Sequence, residues 1–438
     1  MKSYILIVIL ATTYFSFGQF KTPEWCKKAT IYEVNIRQFT PEGTFAAFSK
    51  HLPRLKQMGV DIIWLMPIHP IGEKNRKGGL GSYYAVRNYE EVNAEFGTMA
   101  DFQQLVKETH ANGMKLIIDW VANHTSPDNV WVGQGHMDWY TLDSTGNLQP
   151  TIGTDWWDVA DLNYDNKEMR KAMISSMQFW LKNADIDGFR CDVAGWVPMD
   201  FWIEARKELD AVKPIFFLAE SEGVDQHQAF DMTYGWELHH VMNEIAKGKK
   251  SNADVLAYFE KNKYKRSDYR MHFTSNHDEN SWNGTEMERL GDARFALAVF
   301  AATIEGMPLV YNGQETSLDK RLRFFEKDTI DWLKMDLVSF YTKLLQLNRK
   351  NSALWNGEYG APPVFHTEAT SPILIYSREK DGNKVVVAIN MSAKDAALKL
   401  TDPKLFGKYK ELFSGEKLRI KKDMTLDLEA WGYRVWVK

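Results

Sequence analysis

Along most of the chain, apolar and polar positions fall into two recurring textures. Short apolar runs bounded by glycine, proline or asparagine read as buried strands. Stretches with apolar residues three and four apart read as helices packed on one side. Runs at Ile31–Ile36, Val60–Met66, Lys115–Asp119, Gly188–Asp192, Pro214–Glu220, Asp231–Tyr234, Met271–Thr274 and Pro308–Tyr311 predict eight strands. The sixth is the weakest pattern. Helical spacing fills the gaps: a helix ending near Met58-Gly59, one over Ala100–Asn112 stopped by Gly113, and others over Asn166–Lys182, Asp292–Ile304 and Met335–Lys350. Eight strands, each followed by a helix, suit a closed parallel (β/α)8 TIM barrel better than an open doubly wound sheet.

Three segments break this alternation. Asn123–Asn166 runs about forty residues without a helical period and holds Trp131, Trp139, Trp156 and Trp157. A structureless stretch of that length inside a compact domain is usually functional. It is read as a small inserted domain, 123–166, at the C-terminal end of strand three, the end where barrel active sites lie. After Asn351 come short strand signals, Ile373–Ser377, Lys384–Ile389, Tyr409–Phe413, Leu418–Ile420 and Tyr433–Val437, separated by Asp-Gly, Ser-Gly and Trp-Gly turns. These predict an antiparallel β-sandwich domain over 351–438, leaving 19–350 to the barrel. At the start, Lys2, the apolar run Ile5–Ala11 and the small residues Ser16 and Gly18 before Gln19 read as a signal peptide over 1–18. The expected location is secreted or periplasmic, with no membrane span after cleavage.

Composition narrows the function classes. With 44% hydrophobic and 26% charged residues, the chain has ordinary globular balance. A net charge of −4 supplies no basic field, so nucleic acid is excluded as a partner. Two cysteines, Cys26 and Cys191, build no disulfide framework.

Ionisable residues gather where strands end. Asp119 closes strand three, and His124 follows in D-W-V-A-N-H. Arg190 and Asp192 alternate in G-F-R-C-D, so period two points both into the barrel and turns Cys191 toward the helices. Glu220 closes F-F-L-A-E, and His277 and Asp278 end F-T-S-N-H-D. Carboxylates with histidines and an arginine at one mouth, with no phosphate loop and no dinucleotide glycine fingerprint, suit glycosidic bond cleavage. One carboxyl donates a proton and another serves as nucleophile or base. Arg190 beside Asp192 is expected to lower its pKa and keep it ionised. The apolar run before Glu220 is expected to raise that group's pKa and keep it protonated. Sixteen tryptophans offer flat apolar faces of the kind that stack on sugar rings. Metal chemistry lacks its signatures: there is no H-E-x-x-H and no paired C-x-x-C.

These segments resemble the short sequence blocks of the α-amylase family, glycoside hydrolase family thirteen. D-W-V-A-N-H matches the first block, G-F-R-C-D the second, L-A-E the third and S-N-H-D the fourth, and A-D-L-N at 160–163 is similar to the fifth. The resemblance spans the whole chain after the leader. It implies Asp192 as nucleophile, Glu220 as acid/base and Asp278 as the third carboxylate. It further implies Arg190 holding the nucleophile, His124 and His277 bonding the sugar at the cleavage point, and Tyr84 stacking on it. Asp119 is expected to orient Arg190, and Trp196 is a candidate sugar platform.

The chain also departs from the family pattern. The lysine and histidine found after the nucleophile in many starch-cleaving members are replaced by Gly195 and Trp196. This removes one contributor to a calcium site and one to an acceptor subsite. Asn123 keeps a calcium-liganding position, with Asp155, Asp158 and Asp161 nearby, whereas the acidic glycine loop after strand one is F-T-P-E-G-T. The chemistry requires no cofactor, no metal ligand is assigned, and a structural calcium is the only metal the resemblance implies. V-P-M-D-F-W is similar to the cyclomaltodextrinase and neopullulanase branch. The implied function is a secreted retaining hydrolase of α-1,4-glucosidic bonds in starch-derived glucans. The alternatives are a cyclomaltodextrinase or neopullulanase-type enzyme, an α-glucan transglycosylase, and a non-catalytic glucan-binding relative. The short excursion predicts a low wall and an open cleft.

Overall fold

The structure is a computed structural model describing residues 20–261 and 264–438. The expected leader, 1–18, lies outside the described residues. Eight parallel strands close into a barrel: β1 (Ile31–Val34), β2 (Ile62–Leu65), β3 (Lys115–Trp120), β4 (Gly188–Cys191), β5 (Phe216–Ala219), β6 (Met232–Tyr234), β7 (Tyr269–His272) and β8 (Met307–Tyr311). The weak sixth strand is present as three residues, paired to β5 through Met232 and to β7 through Tyr269. The helices around it are α1 (Leu52–Met58), α2 (Met99–Ala111), α3 (Lys167–Asn183), α4 (Met199–Asp210), α5 (Trp236–Ala246), α6 (Asn252–Lys261), α7 (Arg294–Thr303) and α8 (Val338–Lys350).

Local chemistry explains where these helices begin and end. Asn166 caps α3 by accepting from the N–H groups of Glu168 and Met169, and Thr98 and Asp101 form a reciprocal capping box on α2. Gly59 ends α1 in the left-handed conformation that costs a side chain dearly. Along α3, Met169, Met173, Met177 and Trp180 recur at helical spacing and are buried against the barrel.

One expected helix is absent. Between β5 and β6 the chain makes only a 3-10 turn, Val224–Gln228. The dozen residues available are too few to hold a helix and both of its connections. Strand five is therefore not followed by an α-helix.

Period two divides every barrel strand between two environments. Phe189, Cys191, Phe217 and Ala219 face the helical layer. Ile31, Ile62, Ile117, Phe216, Leu218, Met232, Met271 and Leu309 fill the interior. The barrel is plugged at its N-terminal end by the turn Glu24–Lys28, whose Trp25 packs on Phe216 and whose Cys26 is fully buried. Gly188 lets β4 and β5 approach closely: a Cβ there would lie 1.9 Å from the carbonyl oxygen of Phe216.

The excursion is anchored by a short antiparallel pair, His124–Thr125 with Ala160–Asp161. The C-terminal strands are β9 (Ile373–Lys380), β10 (Asn383–Asn390), β11 (Ala396–Leu400), β12 (Gly407–Glu411), β13 (Lys417–Ile420), β14 (Met424–Leu428) and β15 (Tyr433–Val437). With the edge pair Val364–Phe365, five of them form a six-stranded sheet. The β11–β14 ribbon, whose polar alternation masked it in the sequence, covers one face of that sheet. The other face, through Leu374, Tyr376 and Val387, packs with Leu297 and Phe300 of α7 and Leu344 of α8. Arg378, fully buried, donates to the carbonyls of Thr303 and Ile304 and ties the sheet to the barrel.

Cys26 and Cys191 are both unpaired and fully buried, and burial raises both thiols well above the ordinary value. Titration with a thiol reagent is expected to find no reactive thiol in the folded protein and two after unfolding without reductant. A native disulfide would instead leave none.

Candidate active site

The inward row at the C-terminal end of the barrel is no longer apolar. Glu33 of β1 pairs in register with Trp64 of β2, and Asp119 of β3 with Arg190 of β4. Together with Tyr234 of β6 these form the floor of a cavity of about 610 Å³. Its lining includes Tyr84, His124, Asp192, Glu220, His277 and Asp278, which the structure therefore brings together from five different segments. Arg190 and Asp119 are fully buried beneath it, whereas the Asp278 side chain is 34% exposed at the rim.

Arg190 is the hub. Its Nη1 donates to Asp119 Oδ1 at 2.8 Å and to Asp192 Oδ1 at 3.0 Å, and its Nε donates to Tyr234 Oη at 3.2 Å. Trp64 lies flat enough beneath to offer its ring, 5.1 Å from the guanidinium carbon. Nη2 sits 2.9 Å from Glu220 Oε2 but off the line of its N–H, so that contact is electrostatic rather than a hydrogen bond. Asp119 thus orients Arg190. Removing a single partner from such a buried pair typically costs about 3–5 kcal/mol.

A second chain of bonds completes the floor. His277 Nδ1 meets Glu33 Oε1 at 2.5 Å, its Nε2 meets Tyr84 Oη at 2.8 Å, and Tyr84 Oη donates to Asp119 Oδ2 at 3.0 Å. The Tyr84 ring lies nearly parallel to those of His277 and Phe324, at interplanar angles of 18° and 12°. Glu33, Trp64 and Tyr234 were not singled out from sequence. The signal for Glu33 was a lone carboxylate at an inward position of an otherwise apolar strand.

Electrostatics separates the carboxyls. Burial raises Glu220 to about 8; Arg190 opposes this, and the charges of Asp192 and Asp278 add to it. Burial also raises Asp192 to about 6 against the pull of Arg190. The expectation of a lowered Asp192 is thereby corrected: desolvation of a fully enclosed carboxyl outweighs one shared cation. Asp192 still ionises below neutral pH. Burial alone would lower the His277 imidazole, but Asp278 and Glu33 lift it to about 9; His124, with no anion to offset burial, falls to about 3.

Val193, directly after Asp192, adopts φ 37° and ψ 44°, a left-handed conformation that costs a β-branched residue on the order of 1–3 kcal/mol. The turn aims its N–H at Glu220 Oε2, 2.8 Å away. With Oε2 occupied, a proton on Glu220 resides on Oε1.

Trp196 is 55% exposed and stacks on Trp156 at 5.4 Å rather than lining the cavity. The candidate calcium ligands do not converge. Asn123 donates to Thr151, Thr151 donates to Asp161, and Asp158 pairs with Lys77. Among the described residues, no three acidic, histidine or cysteine side chains cluster as a cation site.

Two neighbouring carboxyls of divergent acidity over one cleft are the equipment of a barrel glycoside hydrolase. Residues 21–356 match the family model "Alpha amylase, catalytic domain", and 364–435 match "Maltogenic Amylase, C-terminal domain". The chain therefore belongs to the α-amylase family and is an α-amylase-type glycosidase. It is similar to the noncanonic maltogenic α-amylase AmyB of Thermotoga neapolitana: 31% identity, TM-score 0.85, covering 94% of this chain and 99% of that one. An α-amylase of Lactobacillus plantarum shares 30% identity at TM-score 0.84 with the same coverage. A cyclomaltodextrinase of Thermoanaerobacter pseudethanolicus is 24% identical over 87% of this chain and 73% of its own length.

The site has a stability consequence. Glu220 ionises at about 8 when folded and near the ordinary 4.5 when unfolded, so its stability contribution is lost as pH rises between the two. Glu220→Gln keeps an acceptor for Val193 and has no proton to lose. It is expected to equal the parent below about pH 4.5 and to exceed it at pH 9 by on the order of 1–2 kcal/mol in chemical denaturation. A gap independent of pH would contradict this ionisation.

Proposed function

We propose that the protein hydrolyses α-1,4-glucosidic bonds in starch-derived glucans with retention of configuration. The observation that carries the reading is the single buried guanidinium of Arg190 facing both an ionised Asp192 and a protonated Glu220. Asp192 attacks the anomeric carbon while Glu220, through Oε1, protonates the departing oxygen. The resulting glycosyl ester is opened by a water from which Glu220 then takes a proton. Asp278, at the rim, bonds the sugar hydroxyls. Cationic His277, whose two N–H groups are taken by Glu33 and Tyr84, positions Tyr84 at the sugar, while His124, which accepts from Asn123 at Nδ1, keeps its proton on Nε2 for the sugar hydroxyls. Charge developing on the sugar ring meets the fixed anions of the floor, which need no reorganisation.

A cyclomaltodextrinase-type activity is the second reading, supported by the maltogenic C-terminal domain and the V-P-M-D-F-W run. Trehalose and sucrose are proposed as poor substrates, because no feature near Val193 and Trp196 is specialised for a sugar joined through its own anomeric carbon. The apolar Ile5–Ala11 run supports export as part of this reading.

Incubation with starch, pullulan, cyclomaltodextrin, maltoheptaose, trehalose and sucrose is expected to give maltose and maltotriose from starch and maltoheptaose, with the α-anomer first by NMR. Rapid turnover of either disaccharide with inert maltoheptaose would overturn the reading. Asp192→Asn and Glu220→Gln should each lower kcat by about 10²-fold or more. The pH profile of kcat/KM should fall below about 6, where Asp192 takes up a proton, and above about 8, where Glu220 loses one.

A further inference from the structure

The expectation of an open cleft fails at one end. The segment 72–81, which follows β2, does not fold back along the barrel. It crosses the mouth and is fastened at both sides. Toward the excursion, Asn75 Nδ2 donates to the carbonyl of Trp157 at 3.1 Å. Lys77 Nζ pairs with Asp158 at 3.0 Å and lies 4.2 Å over the Trp157 ring. Toward the loop after β8, Gly79 N–H donates to Glu326 at 2.7 Å and Leu80 N–H to the carbonyl of Phe325 at 2.9 Å. Gly78, at φ +62°, touches down so closely that a Cβ would lie 2.4 Å from Phe325. Arg37, fully buried, holds the base of the segment through the carbonyls of Leu80 and Gly81. The Lys77 and Asp158 side chains are only 18% and 5% exposed, and both residues line the catalytic cavity.

The position of this strap in the ring gives it a direction. It joins the loops of β3 and β8 and so spans the arc β8–β1–β2–β3, whereas Glu220 ends β5, opposite β1. An acid must stand beside the oxygen it protonates, so the departing part of the chain lies on the Glu220 side. The remaining part, toward the non-reducing end, points at the strap. We infer that the enzyme works from the non-reducing end, the strap stopping the chain and the Lys77–Asp158 pair bonding the terminal hydroxyls. This rests on the glucan-hydrolase reading above. A charged pair held almost out of water offers a donor and an acceptor at one place, and the non-reducing terminal sugar is the only unit of an α-1,4 chain with a free 4-hydroxyl to meet it.

The test compares maltoheptaose with the same chain whose non-reducing terminal hydroxyls are blocked as an ethylidene acetal. Cleavage of the free chain at least about tenfold faster than the blocked one is expected, with one short product size released early from the unlabelled end of a reducing-end-labelled chain. Lys77→Ala should raise KM for the free chain and bring the two rates together. Equal cleavage of both chains by the parent enzyme, with scattered early products, would overturn this inference and leave the hydrolase reading intact. No cleavage of either would overturn both.

Discussion

A guanidinium enclosed in the top layer of the barrel organises this protein. Arg190 is too deep to be solvated, so every one of its favourable contacts must come from the strands around it. β3 supplies Asp119, β4 supplies Asp192, β5 supplies Glu220, β6 supplies Tyr234 and β2 supplies the face of Trp64. Five neighbouring strands are thereby held in one register by one charge. The arrangement has an internal tension. The cation cannot satisfy three carboxyls equally, and the one it meets at a poor angle, Glu220, is left the most basic. Burial raises both Asp192 and Glu220, and Arg190, which hydrogen-bonds only the first, offsets that rise at each.

The same economy appears in the second chain, from Glu33 through His277 and Tyr84 to Asp119. It joins β1 and the residues after β7 to β3. A network of this kind is stable only when every member is satisfied. The floor accordingly tolerates a strained neighbour: the left-handed turn at Val193 is held because its N–H has a fixed acceptor in Glu220. The machinery raises the pKa of three buried carboxyls, Asp119, Asp192 and Glu220, and so costs stability as pH rises. The apolar layers below and the helices outside offset that cost.

Much of this was legible along the chain. The alternation of strand and helix, the excursion and the change of texture after Asn351 are local patterns, and so is the placement of Asp119, Asp192, Glu220 and Asp278 at strand ends. Arg190 and Asp192 share a face because the period of a strand is two. The β5–β6 connection carries no signal that separates a short turn from a helix, and the β11–β14 ribbon is hidden because exposed polar positions alternate along it.

The sequence by itself determined the barrel, the family resemblance and the residues of the mouth, since strand period, turn residues and short motifs are properties of neighbours along the chain. The tertiary structure decided the rest. It set Glu33, Trp64 and Tyr234 beside Arg190, reversed the expected shift of Asp192, turned Trp196 onto Trp156 and laid the 72–81 segment across the mouth. Each of these depends on closing eight strands into a ring. Ring closure brings together residues more than two hundred and forty positions apart, such as Glu33 and His277. It also removes water from their charges, and no short stretch of sequence specifies that degree of burial.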